Sequence, residues 1–177
     1  MPDLKTLPRV AIPEALEKAR HYRLLNEPWQ AESICRDILR TDPDNQQVLY
    51  TLVLAMTDQF EGISKSNMER AVEETEKLSS EYEKEYCLGL ICERQGIAAS
   101  RSHKPRSGFI AHGMLMRAMD HYDKAEKLQS GTNMEAVLRW NAVVRFIEQH
   151  NLKSAPEVER EVQPFLDVQP YQNTSKV

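Results

Sequence analysis

The spacing of apolar residues predicts a pair of short helices near the start of the chain. Ala15, Ala19 and Tyr22 recur at steps of four and three, which places them on one face of a helix. A second apolar stripe with helical spacing follows a break at residues 26–28 and stops at an Asp-Pro-Asp turn, residues 42–44. The members of this second stripe are Ala31, Ile34, Cys35 and Ile38. The two stripes together predict a helix hairpin.

The rest of the chain also predicts helices. The sequence has six glycines and no alternating runs of valine, isoleucine and threonine, which would be typical of strands. Helix-capping residue types precede several apolar stripes, namely Asn26, Asp44 or Asn45, Ser66, Ser80 and Thr132. The predicted helices cover about 12–25, 28–41, 45–59, 66–79, 80–97, 109–128, 133–150 and 156–166. The predicted fold class is therefore all-α.

Four residues of the first hairpin stand at the spacing of a known helical repeat. Ala19, Tyr22, Ala31 and Pro43 occupy the small, aromatic, small and proline positions of the tetratricopeptide motif, so the hairpin resembles a tetratricopeptide repeat (TPR). Its landmarks recur further along, the first-helix position at Val53 and Gly89 and the second-helix position at Ala71 and Ala118. The resemblance implies a TPR-like superhelix of about four antiparallel helix pairs. It also implies a binding scaffold rather than a catalyst.

The repeat spacing predicts the organisation of the chain and one large insertion. Residues 1–11 carry no helical periodicity and are interpreted as a flexible leader, residues 12–166 as the repeat domain, and residues 167–177 as a disordered tail. Gly89 and Ala118 are 29 residues apart, against 12 for the same landmarks in the first hairpin, Ala19 and Ala31. Part of this excess must lengthen the flanking helices. The remainder forms a predicted loop at 99–108.

The inserted loop is the one locally basic stretch of the sequence. Its cationic residues are Arg101, Lys104 and Arg106, and it contains no acidic residue. One interpretation is a solvated, mobile insertion. The alternative is a docking loop that binds an acidic peptide, a phosphate group or nucleic acid through charge-assisted contacts.

Composition narrows the choice of partner and compartment. A net charge of −4 does not favour nucleic acid or an anionic membrane as a partner. The longest apolar run, residues 48–56, is much shorter than the roughly 20 residues needed to cross a bilayer, and the N-terminus lacks the apolar core of a signal peptide. Three cysteines without paired spacing indicate a reducing compartment. The expected location is cytoplasmic, with no membrane partner.

No set of residues in the sequence predicts catalysis, a metal or a cofactor. Cys87 and Cys92 are five residues apart, or about 140° around a helix, so they cannot act together locally. His112 and His121 are nine apart, which places them on opposite sides of a helix. A phosphate-binding glycine loop and a nucleophile elbow are both missing. The sequence therefore predicts a non-enzyme.

The TPR resemblance implies where a protein partner would bind. In that family the first helix of each pair lines a concave groove, and fourteen positions here, Glu93 among them, match its exposed side. Seven of them are taken as the expected groove residues, namely Arg20, Arg23, Tyr50, Leu54, Tyr86, Leu90 and Asn141. An extended or helical peptide laid over the middle of the groove is the favoured function. Two alternatives stay open: these side chains pack against the chain itself, or the apolar middle and a methionine-rich sixth helix form a homodimer.

Overall fold

The computed structural model describes residues 3–60, 65–129 and 131–156, and throughout these ranges the only regular structure is helical. This confirms the all-α fold class. A short 3₁₀ turn, Arg9–Ala11, precedes the first α-helix. The α-helices are α1 (Ile12–Leu24), α2 (Pro28–Thr41), α3 (Gln46–Thr57), α4 (Lys65–Thr75), α5 (Glu81–Ser100), α6 (Ser107–Leu128) and α7 (Glu135–Gln149).

Two of the predicted helix caps are confirmed, and one is replaced by a neighbour. The Asn45 side chain accepts a hydrogen bond from the backbone N–H of Val48 at 3.2 Å, and the Ser80 hydroxyl accepts one from Glu83 at 3.3 Å. At the start of α7, the backbone N–H of Glu135 donates to the side chain of Asn133 at 2.9 Å. The prediction that Thr132 would cap this helix is therefore wrong. Ser66 lies inside α4 rather than before it.

Asn26 ends α1 instead of beginning α2. Its backbone is in the left-handed region, with φ of 59°. The N–H of Glu27 donates to the carbonyl of Tyr22 at 2.9 Å, and the N–H of Asn26 donates to the carbonyl of Arg23 at 3.0 Å. This hydrogen-bond pair is the Schellman motif, which closes a helix with a residue that tolerates positive φ. The predicted N-cap role of Asn26 is therefore wrong, although the predicted break in the chain is present.

The insertion predicted between the fifth and sixth helices mostly lengthens the helices themselves. α5 continues to Ser100 and α6 begins at Ser107, so only residues 101–106 connect them, fewer than the predicted 99–108. The two helices are antiparallel and make the most extensive helix contact in the described chain. Glycine permits this close approach. A Cβ atom added at Gly89 would lie 2.6 Å from Cε1 of Tyr122, and one added at Gly96 would lie 2.8 Å from Cγ of Leu115.

The odd-numbered helices lie side by side and run in the same direction. The ring centroids of Tyr50 and Tyr86 are 6.5 Å apart, and an Arg94 guanidinium nitrogen lies 3.3 Å from an Asp58 oxygen. Both pairs are separated by 36 residues, so α3 and α5 are parallel in a constant register. An Arg23–Asp58 ion pair at 2.8 Å places α1 on the other side of α3. The even-numbered helices return antiparallel between them.

α7 continues this arrangement beyond α5. The side-chain nitrogen of Asn133 lies 3.0 Å from the hydroxyl of Tyr82, and a guanidinium nitrogen of Arg139 lies 3.1 Å from a carboxylate oxygen of Glu93. From the first contact to the second, the residue number increases on both helices, so α7 runs in the same direction as α5. The apolar core accordingly has two parts, one formed by α1 to α5 together with Met114 of α6, and one formed by α5, α6 and α7.

The start of the chain contacts the helical domain, whereas the end of the chain lies largely outside the described residues. Leu7 packs against the first part of the core, and its carbonyl accepts a hydrogen bond from the Thr41 hydroxyl at 2.9 Å. Part of the predicted flexible leader therefore contacts the helical domain. The eighth helix, expected over 156–166, and the tail at 167–177 lie outside the described residues, apart from Pro156. None of the helices described is long and apolar enough to cross a membrane.

Glu32 on α2 joins three helices through hydrogen bonds and ion pairs. Its carboxylate accepts hydrogen bonds from Arg36 at 2.7 Å, from the Gln59 amide at 2.7 Å and from Arg70 at 3.3 Å. Partial burial alone would raise the pKa of Glu32, but the hydrogen bonds from Arg36 and Gln59 and the charges of Arg36 and Arg70 outweigh it. The pKa of Glu32 is therefore lowered.

The Glu32→Gln variant should lose stability in a pH-dependent manner. A carboxyl group with a lowered pKa in the folded state stabilises the protein above its unfolded pKa and loses that contribution as the pH falls through the folded pKa. We expect a loss of about 1 kcal/mol in the free energy of unfolding at pH 7, shrinking below about pH 4.5. Urea unfolding at several pH values measures this. The control is Glu14→Gln, which removes an exposed carboxyl group on α1. A Glu32→Gln effect that stays constant down to pH 3 would contradict the assignment.

Candidate protein-interaction surface

The odd-numbered helices present one continuous surface, here called the odd-helix face. Its middle is a group of neighbouring tyrosine rings, in which Tyr86 stacks on Tyr82 at 6.1 Å and lies tilted against Tyr50 at 6.5 Å and Tyr122 at 5.8 Å between ring centroids. Aromatic pairs at this separation add to the energy of simple burial. The face consists of side chains from α1, α3, α5 and α7, which are Arg20, Arg23, Tyr50, Leu54, Asp58, Tyr82, Arg94 and Arg139.

The predicted groove residues in the middle of this face differ in their accessibility. Tyr86 and Leu90 are buried, with 5% and 2% of their surfaces exposed, so they present no free surface to a partner. Tyr50 and Leu54 are half-buried. Burial raises the pKa of the Tyr50 phenol, so this side chain stays neutral over the physiological range. The accessible apolar part of the odd-helix face is therefore formed by Tyr50 and Leu54, with Tyr86 packed behind Tyr50.

The cationic start predicted for the groove is largely neutralised inside the chain. Arg23 donates to one oxygen of Asp58 from Nε and Nη2, at 2.9 and 2.8 Å. Arg94 contacts the other oxygen of the same carboxylate at 3.3 Å. Arg20 is exposed and lies 2.7 Å from Glu17. These contacts tie α1, α3 and α5 together, and they leave Arg20 as the more accessible of the two predicted arginines.

Glu93, which the repeat register predicted to be exposed in the groove, is instead buried beneath the far side of the face. Glu93 on α5 is 5% exposed and accepts hydrogen bonds from the Tyr122 hydroxyl at 2.6 Å and from Arg139 at 3.1 Å. Burial opposes the charge on Arg139, but the attraction of Glu93 outweighs it, so the pKa of Arg139 is raised. The Glu93 network connects α5 to both α6 and α7. The sequence signal was the single acidic residue that follows Leu90, Ile91 and Cys92 inside a helix.

Asn141 is not brought together with the other predicted groove residues. Arg139 marks the side of α7 that faces α5, since it contacts Glu93. Successive residues of a helix are rotated by about 100°, so Asn141 lies about 160° around α7 from Arg139. The residue of α7 that reaches the odd-helix face is Arg139, which the spacing of the repeat landmarks did not identify.

The basic loop is a short, hydrogen-bonded connection with exposed cations. Arg101, Lys104 and Arg106 are all exposed. The hydroxyl of Ser107 donates to the carbonyl of Ser102 at 2.7 Å, and Arg106 has a left-handed backbone with φ of 66°. The structure keeps the three cations at the surface, and their predicted role in binding an acidic partner stays a prediction.

The three cysteine thiols are buried, so they are poorly placed to react. Cys35, Cys87 and Cys92 are buried and unpaired by disulfides. Burial raises the pKa of Cys92 to about 11 and that of Cys35 to about 12, so neither supplies a thiolate at neutral pH. Over the described ranges, no three histidine, cysteine or acidic side chains are grouped so that they could hold a metal ion.

Comparisons of this chain with protein-family models, with curated proteins and with solved structures found no match. The resemblance to a tetratricopeptide repeat therefore stays a prediction from the chain's own residues. The structure relates α1, α3 and α5 by an offset of about 35 residues, seen in the Arg23–Asp58 and Asp58–Arg94 pairs.

Proposed function

We propose that this chain is a TPR-like superhelix of about four helix pairs that acts as a non-catalytic protein-interaction module. Its partner, a peptide or a helix, binds across the odd-helix face. The observation that carries the proposal is the parallel arrangement of α1, α3 and α5 at an offset of about 35 residues, which α7 follows in direction at a larger offset. Helical repeats stacked in this way form an extended surface that is wider than any single helix could offer.

The chemistry of the odd-helix face suits a protein partner. Tyr50 and Leu54 supply half-buried apolar area, and tyrosine provides a large contact surface at a small loss of side-chain freedom. Arg20 and the Asp58–Arg94 pair border this area with charged groups. An apolar centre with a polar rim is the common anatomy of protein interfaces.

The buried residues of the original groove prediction take a supporting role in this proposal. Tyr86 packs against the Tyr50 ring from within the domain, at 6.5 Å between ring centroids. Leu90 lies one turn further along α5, within the same buried surface. We expect substitution of either residue to reduce binding only by disturbing the fold. Tyr50 and Leu54 are therefore the residues whose substitution tests direct contact.

The face variant Tyr50→Ala/Leu54→Ser should lose the partner while retaining the fold. Affinity capture from the native lysate, quantified by mass spectrometry, compares it with wild type and with Trp29→Ala. Trp29 is an exposed aromatic on α2, away from the odd-helix face, and serves as the matched control. We expect at least one protein to be captured by wild type and by the control and to be reduced about tenfold with the face variant. Circular dichroism confirms folding, and equal capture by all three proteins would refute the proposal.

Each of the two alternative functions predicts a different outcome, one in the capture experiment and one in sedimentation. Partners retained by the face variant but lost on neutralising Arg101, Lys104 and Arg106 would favour an acidic partner of the basic loop. A concentration-dependent dimer in sedimentation would favour self-assembly. Of the methionines in the sixth helix, α6, that this alternative invokes, Met114 is buried and Met116 is exposed. The three free, buried cysteines fit our proposal of a reducing, cytoplasmic location.

A further inference from the structure

A cleft of about 380 Å³ lies on the opposite side of α5 from the odd-helix face. Its walls are α4 and α6, and its floor is a stripe of α5. Leu88 belongs to the floor, whereas Leu90 lies buried beneath the odd-helix face, and two residues correspond to about 160° around a helix. The apolar residues that line the cleft are Met68, Val72, Leu88, Ile91 and Cys92. The cleft and the odd-helix face are therefore separate surfaces.

The cleft exists because α4 and α6 both pack on α5 but hardly touch each other in the part of the chain that is described. Met68 and Ile91 are buried deep in the cleft. Val72 and Leu88 are only half-buried, so apolar surface remains accessible along the floor. A helical partner that inserts apolar side chains at positions i, i+3, i+4 and i+7 recognises a groove of this kind.

Two of the four acidic residues around the cleft are already paired with neighbours. Glu81 lies 2.9 Å from Lys84, and Glu85 lies 2.7 Å from a ring nitrogen of His121. Lys124 is also within 4.0 Å of Glu85. Lys84 on α5 and Lys124 on α6 are thus both paired with acidic residues of the cleft itself.

The remaining two acids face a partner from opposite lips of the cleft. Glu76 stands just beyond the end of α4 and acts electrostatically on Lys84, and Asp120 lies on α6; both are exposed. Arg117, on the same wall as Asp120, has interactions of its own within the chain. The lining carries four carboxylates against three lysine and arginine side chains, so its excess charge is negative, and Glu76 and Asp120 place acid at both edges of the apolar floor. Complementary charges at the edges of an apolar contact select and orient a partner.

We propose that this cleft binds an amphipathic helix of a second protein partner, whose apolar stripe is flanked on both edges by lysine or arginine. The apolar stripe rests on Val72 and Leu88, and the basic flanks face Glu76 and Asp120. The inference does not rest on the proposed role of the odd-helix face, since the two surfaces share no residue.

Two synthetic peptides test the cleft directly on the full chain. Each is an amphipathic helix of about 18 residues, or about five turns, with one leucine stripe. One has lysine flanks and the other has glutamate flanks. Fluorescence anisotropy of the labelled peptides should show binding of the lysine-flanked peptide at least about tenfold tighter than that of the glutamate-flanked one.

Variants of the cleft should change this binding in a defined way. Val72→Asp and Leu88→Asp each place a charge on the floor and should weaken the lysine-flanked peptide about tenfold. The exposed pair Glu76→Lys/Asp120→Lys leaves the core intact and should reverse the preference between the two peptides. Tyr50→Ala, on the odd-helix face, should change nothing.

Four results would overturn the proposal. The first is equal binding of both peptides, and the second is a lysine preference that survives Glu76→Lys/Asp120→Lys. The third is binding that is lost in Tyr50→Ala but kept in Leu88→Asp, which would place the peptide on the odd-helix face. The fourth is a cleft already filled by the chain, shown by a photo-crosslinker at position 72 that reacts with residues 157–177 or with a second copy.

Discussion

Gly89→Leu should produce a large loss of stability in this protein. A Cβ atom at this position would lie 2.6 Å from Cε1 and 2.8 Å from Cδ1 of Tyr122, both shorter than a van der Waals contact. Tyr122 cannot easily move away, because it is buried and its hydroxyl is held by Glu93 at 2.6 Å. We expect a decrease of about 3 kcal/mol or more in the free energy of unfolding, measured by urea denaturation.

Gly108 in α6 provides the matched control for this substitution. A Cβ atom added there meets no heavy atom within 4 Å, so Gly108→Ala gains helix propensity without a clash. We expect the control to be neutral or to stabilise the protein by about 0.5–1 kcal/mol. If Gly89→Leu were as stable as wild type, the close approach of α5 and α6 would be refuted.

Arg139→Leu should destabilise the attachment of α7 to the rest of the domain. The substitution leaves the Glu93 carboxylate buried, with the Tyr122 hydroxyl as its remaining hydrogen-bond donor. Removing one partner of a buried ion pair commonly costs about 3–5 kcal/mol. Since the Arg139 side chain is 36% exposed, we expect the lower end, about 3 kcal/mol, in urea denaturation.

The double variant Glu93→Leu/Arg139→Leu separates this account from a simple loss of packing. Because Glu93→Leu removes the carboxylate as well, no buried charge is left without a partner in the double variant. Much of the stability that Arg139→Leu loses should therefore return. Arg145→Leu, an exposed arginine on the same helix, should change the free energy of unfolding by less than about 0.5 kcal/mol. A double variant less stable than Arg139→Leu would contradict the role assigned to the ion pair.

Local patterns were enough to predict the helices but not always their ends. The apolar spacing of α1 and α2 located both helices to within a residue or two, because the stripe that faces the core repeats at the helical period. Asn26 was assigned to the wrong helix, since asparagine serves both at N-caps and at left-handed C-terminal positions. The choice between them depends on backbone hydrogen bonds that are not visible in the sequence.

The candidate surface could be predicted in part, for the same physical reason. Tyr50 and Leu54 follow from the repeat register, because α3 and α5 are related by a constant offset. The burial of Glu93 and its pairing with Arg139 could not be predicted, because the two residues are 46 apart and the relative rotation of their helices is set by packing. Asn141 was selected by a count of residues, and a shift of two positions moves a side chain to the other side of a helix.

Site-specific photo-crosslinking tests the central claim of a binding surface on the odd-numbered helices most directly. A photoreactive phenylalanine analogue replaces Tyr50 in one variant and Trp29 in the other, and each is irradiated with the partner captured by wild type. We predict a covalent adduct with that partner from position 50 and none from position 29. An adduct from position 29 alone, or from neither position while capture still succeeds, would contradict the claim.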